Sequence, residues 1–423
     1  MTVRTKTAAA FRRLSRRVTA AALAGTLAIA AALPAAAGPY LVFDARTGEV
    51  LAESQAFDPW YPASLTKMMT AYVTFRAIEQ GRLRPDSLVV MTANASKEPP
   101  SKMGFKPGTA LSVDTALKML IVKSANDIAV ALAETVGGGE AEFVALMNAE
   151  ARRLGMDGTR FVNPNGLPDP RQWSTARDFA VLSRAIIAEY PQYSELFRIT
   201  ALSLGAKVIK SHNHLLERYP GTDGMKTGFI CASGYNVVAS ATRGGRRLVA
   251  VVLGERNARV RAEKAAQLLE AGFRATGGFF SRKVKLDTLR PDVAPPSLPT
   301  DMRDFVCGKN RNAGEDADDQ SVATAGVGKG EARSYLVPPF KLMDPVPVAL
   351  GGTVDLVPSP AGSGVPLDAD LPPLPLPNPA RRSQLAPTAA PAPTTVAPSG
   401  ATVGVLPPAP PPIEILGLRG NSG

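Results

Sequence analysis

The sequence predicts an α+β fold: one antiparallel sheet packed with helices, a helical subdomain, and a disordered proline-rich C-terminal tail. Three observations carry this expectation. Strand-like alternation occurs at residues 40–52 and returns at 225–253, with helical apolar spacing between them. The segment so defined, about 235 residues, is ample for one substantial core. Near Gly277 the composition shifts to Pro, Ala, Gly, Ser and Thr, too little apolar surface to offset chain entropy.

Residues 1–37 read as a cleavable export signal. Arg4, Lys6, Arg12, Arg13, Arg16 and Arg17 open it, residues 18–33 are apolar and acid-free, and Ala35-Ala36-Ala37 supplies the small cleavage residues. The apolar stretch is mostly Ala, Thr and Gly, which suits cleavage better than a permanent span. The mature chain is then expected to begin near Gly38 and to work in the periplasm or cell wall. Residues 40–43 and 49–52 flank Ala45-Arg46-Thr47-Gly48 as a hairpin. Residues 64–80 form a helix that stops at Gly81. Two further helices, 113–121 and 127–136, put Ser124-Ala125-Asn126 on the turn between them, and helices at 140–154 and 175–189 follow. Strands at 225–230, 234–241 and 247–253 and a helix at 257–272 close the domain, which spans residues 38–276.

Residues 277–423 form the remainder. The stretch 279–289 is expected to add a strand or two, and disorder is expected from Val293 onward. The runs 371–377 and 408–412 predict extended polyproline conformations. Residues 413–419 are too short and too weakly basic for an amphipathic membrane helix, so no clear membrane anchor remains after signal cleavage.

The formal net charge is +11, part of it in the signal. The remaining basic residues are scattered without interleaved aromatics, which reads as a solvated face and argues against nucleic acid. Attraction to an anionic cell wall is compatible with it. Cys231 and Cys307 are the only cysteines, too few for a disulfide framework. An exported chain can form disulfides, and Cys231 follows the Lys226-Thr227-Gly228 strand and could sit near the active site, but it is expected as a small buried hydrophobe. The two histidines, His212 and His214, have no third ligand in view, so no metal and no cofactor is expected.

The chemistry concentrates in three places. Ser64-Leu65-Thr66-Lys67 sets a hydroxyl and an amine three residues apart, on one face of a helix. A serine needs a base within hydrogen-bond reach to become a nucleophile. A lysine serves only if burial or neighbouring positive charge lowers its proton affinity. Ser124-Ala125-Asn126 and Lys226-Thr227-Gly228 follow in order. Together these resemble the three motifs of penicillin-binding proteins and serine β-lactamases. With Asn163-Pro164-Asn165-Gly166-Leu167, Ser174-Thr175-Ala176-Arg177-Asp178 and Ser233-Gly234-Tyr235-Asn236, residues 40–273 resemble the low-molecular-mass D-alanyl-D-alanine carboxypeptidases of peptidase family S11.

The resemblance implies a β-lactamase/transpeptidase-like fold with the motifs meeting in a groove between sheet and helices. It implies a peptidoglycan stem peptide ending in D-Ala-D-Ala as substrate and β-lactam antibiotics as covalent inhibitors. Ser64 would attack the carbonyl between the two D-alanines and Lys67 would take its proton. Ser124 would pass a proton to the departing nitrogen, and Asn126 would bond both Lys67 and the substrate backbone. An alternative for Asn126 is a helix cap. Lys226 and Thr227 would receive the terminal carboxylate, and Gly228 would let the substrate strand approach. The backbone N–H groups of Ser64 and Phe229 would form the oxyanion hole. Phe229 departs from the family pattern, which often has His there. His212 lies where relatives place polar groups near the carboxylate.

Three rivals remain. A class A β-lactamase would add a Glu-x-x-x-Asn site, and no Glu between Asn126 and Phe197 has Asn four residues later. A non-catalytic wall scaffold would use the tail for recruitment. A D,D-endopeptidase would cut cross-links with the same machinery.

Overall fold

Alternating apolar side chains decide the faces of the sheet. Leu41, Phe43, Val238, Val249 and Val251 point into one core, while Val42, Val237, Ala239, Leu248, Ala250 and Val252 point into a second. Strands buried on both sides in this way belong to the middle of a three-layer molecule. The computed structural model describes residues 38–275, 284–309 and 334–354.

In chain order the elements are β1 (Tyr40–Asp44), β2 (Val50–Ser54), a 3₁₀ turn (Ala63–Leu65), α1 (Thr66–Glu79), β3 (Leu88–Val90), α2 (Ala93–Ser96), β4 (Thr109–Ser112), α3 (Val113–Val122), α4 (Asn126–Gly137), α5 (Glu140–Leu154) and α6 (Ala176–Glu189). A 3₁₀ stretch (Pro191–Arg198), β5 (Ala201–Leu204), β6 (Lys207–Lys210) and a 3₁₀ turn (His214–Glu217) follow. Then come β7 (Thr222–Ile230), β8 (Gly234–Arg243), β9 (Arg246–Glu255), α7 (Ala258–Arg274), α8 (Arg303–Val306), β10 (Val346–Pro347) and β11 (Gly352–Thr353).

The main sheet has the order β2-β1-β9-β8-β7, with every pair antiparallel. N-terminal and C-terminal strands thus complete one sheet, as expected. α7 covers one face through Ala262, Ala265, Ala266 and Leu269, an i, i+3, i+4, i+7 stripe of mostly small residues. The helical block α1–α6 covers the other. Side-chain caps fix several helix starts: Ser112 Oγ accepts from Thr115 N, Thr175 Oγ1 from Asp178 N, and Asn257 Oδ1 from Val260 N. The expected helices and strands between residues 38 and 275 are present, their ends shifted by no more than three residues. The short pairs β3–β4 and β5–β6 were not foreseen.

Two expectations change. Cys231 is half-buried and disulfide-bonded to Cys307, 76 residues away, with an S–S distance of 2.06 Å. It sits on the turn after β7, where an apolar core is not available to it. The expectation of disorder from Val293 also fails for residues 302–307 and 334–354, which bond to or pack on the domain. Val50 N donates to Val284 O and Leu286 N to Gly48 O, both at 2.9 Å, and Leu286 and Leu289 are buried in the helical-side core. Of the stretch 279–289, residues 279–283 lie outside the described residues and Lys285 makes an isolated bridge to Glu49. Met302 N then donates to Ala232 O at 3.0 Å. Further on, Val337 N reaches Arg218 O at 2.8 Å, β10 pairs parallel with β5, and β11 pairs antiparallel with β4. The export signal at 1–37 and the proline-rich runs at 371–377 and 408–412 lie outside the described residues. Among the described residues no helix is long and apolar enough to cross a membrane.

A chain ended at residue 275 would lose the burial of Leu286, Leu289, Leu336 and Val348. Each such side chain contributes about 1.5–3 kcal/mol when fully buried. Thermal denaturation is expected to show a clearly lower midpoint for that chain than for one ended at residue 354. Equal midpoints would show that the two segments add no stability.

Candidate active site

Ser64 lies on the 3₁₀ turn that runs into α1, and Lys67 lies in the first turn of that helix. α1 is buried on every face except near its end, because α3, α4, α5 and α6 surround it. Its polar residues are therefore forced to find partners inside the protein. Thr70 Oγ1 donates to Pro164 O at 2.6 Å, and Lys67 Nζ donates to Asn165 O at 2.5 Å. Two side chains one helical turn apart thus pin the Pro164-Asn165 backbone onto α1. Lys67 Nζ also donates to Asn126 Oδ1 at 2.7 Å and to Ser64 Oγ at 3.1 Å. The serine and lysine expected to act together are within hydrogen-bond distance.

Lys67 is fully buried, at 0 % exposure. Burial, then the positive charge of Lys226, holds its amine well below the usual lysine range, against a weaker opposite pull from Glu98 and Asp127. Lys226 comes from β7 and is also buried; its Nζ donates to Ser124 Oγ at 3.0 Å and to Thr227 O at 2.8 Å. The three motifs therefore meet in two hydrogen-bonded groups, Lys67 with Ser64 and Asn126, and Lys226 with Ser124.

Asn126 is the first residue of α4, and the cap position belongs to Ala125, which makes no side-chain cap. The capping alternative for Asn126 is thereby replaced by a bridging role. Its Nδ2 donates to Pro99 O at 2.9 Å and its backbone N to Ser101 O at 2.7 Å. One amide hydrogen of Nδ2 is left over by that single bond. Both Ala63 (φ 47°) and Ser124 (φ 58°) adopt left-handed backbone conformations that cost non-glycine residues about 1–3 kcal/mol. Such outliers, one just before Ser64 and one at Ser124 itself, mark turns whose shape is imposed by their surroundings.

β7 is the edge strand, and it touches the Ser64 turn at Gly228. A Cβ there would stand 3.0 Å from Ser64 N, Leu65 N and Pro62 O. The missing side chain thus admits the Ser64 turn itself. Asn236 on β8 locks the same turn. Its Nδ2 donates to Tyr61 O at 3.0 Å and Pro62 O at 3.3 Å, while its Oδ1 accepts from Gly254 N at 2.9 Å. Trp60 Nε1 donates to Ser233 O at 2.9 Å. Phe229 is 41 % exposed and stacks on Tyr235, centroids 4.2 Å apart. His212 lies on the loop after β6, half-buried, next to Asn213, whose Nδ2 donates to Gly224 O of β7 at 3.2 Å.

Sequence reasoning gave no role to Asn165, Gly166, Asn236 or Glu98. Asn165 Nδ2 donates to Glu98 Oε2 at 2.9 Å, and burial together with Glu140 pushes the Glu98 carboxyl up. Among the described residues no group of His, Cys, Asp and Glu could hold a metal ion.

Comparison with known proteins gives a consistent picture. The family model for D-alanyl-D-alanine carboxypeptidases, peptidase S11, matches residues 27–257. D-alanyl-D-alanine carboxypeptidase DacD of Salmonella typhimurium is 40% identical over 243 residues, 56% of this chain and 62% of that relative. The chain thus spans somewhat less than two thirds of its length. The crystal structure of penicillin binding protein 6B from Escherichia coli is similar with a TM-score of 0.54 at 40% identity, covering 56% of this chain and 77% of that one. Penicillin-binding protein D2 from Listeria monocytogenes, in its cefotaxime-bound form, is similar with a TM-score of 0.51 at 31% identity, covering 56% and 97%.

Gly166 gives a sharp test of the scaffold. Its φ is +86°, and a Cβ there would fall 1.9 Å from Ala63 O. Gly166→Ala must push the Pro164-Asn165 loop off the Ser64 turn. It is expected to cost about 1–3 kcal/mol of stability and to slow any acylation of Ser64. Chemical denaturation and labelling rates matching the parent would contradict that close approach.

Proposed function

The chain belongs to the peptidase S11 family of D-alanyl-D-alanine carboxypeptidases, and from that premise we propose that it removes the terminal D-alanine from peptidoglycan stem pentapeptides. The observation that carries this reading is the buried Lys67 amine 3.1 Å from Ser64 Oγ, with its proton affinity lowered. A neutral amine at that distance can accept the serine proton as Oγ attacks. The new bond joins Ser64 Oγ to the carbonyl carbon of the penultimate D-alanine. The peptide C–N bond breaks and the terminal D-alanine leaves with a proton. Water then adds to the ester and frees Ser64.

The other roles follow from chemistry. Ser124, held by Lys226, is suited to carry the proton to the departing nitrogen. Asn126 offers its remaining amide hydrogen to the substrate backbone. Lys226 supplies a point charge and Thr227 a hydroxyl for the terminal carboxylate, with His212 as an additional polar group on the neighbouring loop. The packing of Gly228 against Ser64 N supports an oxyanion site between the N–H groups of Ser64 and Phe229. Phe229 keeps its N–H, so acylation does not depend on its side chain. The same nucleophile and oxyanion site would open a β-lactam ring, and penicillin-binding protein D2 of Listeria monocytogenes has been solved with cefotaxime bound. Inhibition by β-lactams is therefore part of the proposal, as are export and action in the periplasm or cell wall.

Incubation of the full chain with a fluorescent penicillin is expected to label Ser64, and a stem pentapeptide is expected to release D-alanine. Ser64→Ala should abolish both. Losing one oxyanion donor alone typically costs on the order of 10²–10³ in rate, so any residual release should be small. Labelling without release would favour a binding scaffold. Rapid loss of the label with hydrolysed drug would favour a β-lactamase.

A further inference from the structure

The order of residues along β7 gives the substrate a direction. Lys226 and Thr227, assigned above to the terminal carboxylate, precede Phe229, assigned to the oxyanion. A peptide lying along this edge strand therefore has its C-terminus near Lys226. Its upstream residues run towards Ile230 and the turn Cys231-Ala232-Ser233. That turn is where the chain beyond the catalytic domain returns. Cys231 is bonded to Cys307, and Met302 N donates to Ala232 O at 3.0 Å. The same turn is tied to the nucleophile's side of the groove, since Trp60 Nε1 donates to Ser233 O at 2.9 Å. Residues 301–307 are thus clamped beside the acyl end of the groove, covalently at one end and by a backbone bond at the other.

The exposed groups on this strap are the charged Asp301, Arg303 and Asp304 and the apolar Phe305, which is 53% exposed. Asp301 and Arg303 lie 3.8 Å apart at the closest N–O approach, with side chains 48% and 63% accessible. Both act electrostatically on Tyr61, three residues before Ser64. So loose and solvated a pair contributes little to stability; Asp301 Oδ1 accepts from Arg303 N at 2.8 Å, which leaves Oδ2 and the Arg303 guanidinium to meet a ligand. Phe229 and Tyr235 stack on the adjoining strands.

We propose that the strap 301–307, held by the Cys231–Cys307 disulfide, is a specificity wall for the stem-peptide residues upstream of the D-alanine pair, with Asp301 and Arg303 meeting their charged side chains. The proposal rests on the carboxypeptidase reading. A charged contact there belongs to the peptide and is absent from a capped D-alanyl-D-alanine dipeptide or a small β-lactam. The disulfide and its two charged neighbours are positioning and binding groups and take no part in bond making.

The test uses the full chain and two variants, Asp301→Ala/Arg303→Ala and Cys231→Ser/Cys307→Ser. kcat and KM are measured for a stem pentapeptide and for an N-acetylated D-alanyl-D-alanine dipeptide, alongside the rate of Ser64 acylation by a small penicillin. Both variants are expected to raise KM for the pentapeptide by about tenfold, equivalent to about 1.4 kcal/mol. Dipeptide turnover and penicillin acylation should change by less than about twofold on the same scale. An equal loss for both substrates would assign the strap a merely structural role and overturn the proposal, as would an unchanged KM for the pentapeptide. Failure of the parent chain to acylate Ser64 would overturn the carboxypeptidase reading itself.

Discussion

The burial of Lys67 beside a second buried lysine constrains everything around it. An ammonium group deprived of water is costly unless it loses its proton or gains several acceptors. As an ammonium Lys67 has three acceptors, from Ser64, Asn126 and Asn165, supplied by three different parts of the chain; as a neutral amine it donates to two of them and turns its lone pair to the Ser64 hydroxyl. Lys226 supplies positive charge from a fourth. A lysine is thus held where its charged form is disfavoured, a pattern typical of catalytic centres. The cost falls on stability, and the sheet, the helical block and the two returning segments offset it by burying apolar surface.

Close packing keeps that arrangement in register. β7 and the loop at residues 163–167 both press on the Ser64 turn at glycines, 228 and 166, whose Cβ atoms would meet backbone. Asn236 joins the same turn to β8 and to Gly254 on β9. The Ser64 turn is thereby fixed to the sheet on one side and, through Lys67, to the Asn165 backbone on the other. Preorganisation of this kind is what places a reacting oxygen within reach without further ordering during catalysis.

Much of this was legible in the sequence. Helices α3 to α7 and strands β7 to β9 carry strong periodicity, and the serine, lysine and asparagine motifs stand in order along the chain. Strands β3 to β6 span three or four residues each, too few for alternation to register. The contribution of Asn165 is a backbone carbonyl, which no residue type announces. Gly228 was read for substrate access, yet its nearest neighbours are the atoms of the Ser64 turn. The pairing of Cys231 with Cys307 depends on where a 76-residue excursion returns, and two isolated cysteines carry no trace of that. The same return explains why segments at 302–307 and 334–354 lie on the domain: a few apolar residues, Val306, Leu336 and Val348 among them, find ready-made sites.

The ionisation of Lys67 tests this account most directly. Because the folded state lowers its pKa, the unfolded chain holds the extra proton between the folded value and the usual ~10.4. The contribution of Lys67 to stability must then rise with pH across that window and be constant below it. The decisive measurement is a ¹³C NMR titration of the Lys67 side chain in the full chain, assigned with Lys67→Arg and run beside the pH profile of Ser64 acylation by penicillin. The account predicts that Lys67 titrates well below ordinary lysines and that acylation slows as pH falls through the same midpoint. A Lys67 that keeps its proton up to the ordinary lysine range, while acylation proceeds at neutral pH, would contradict it.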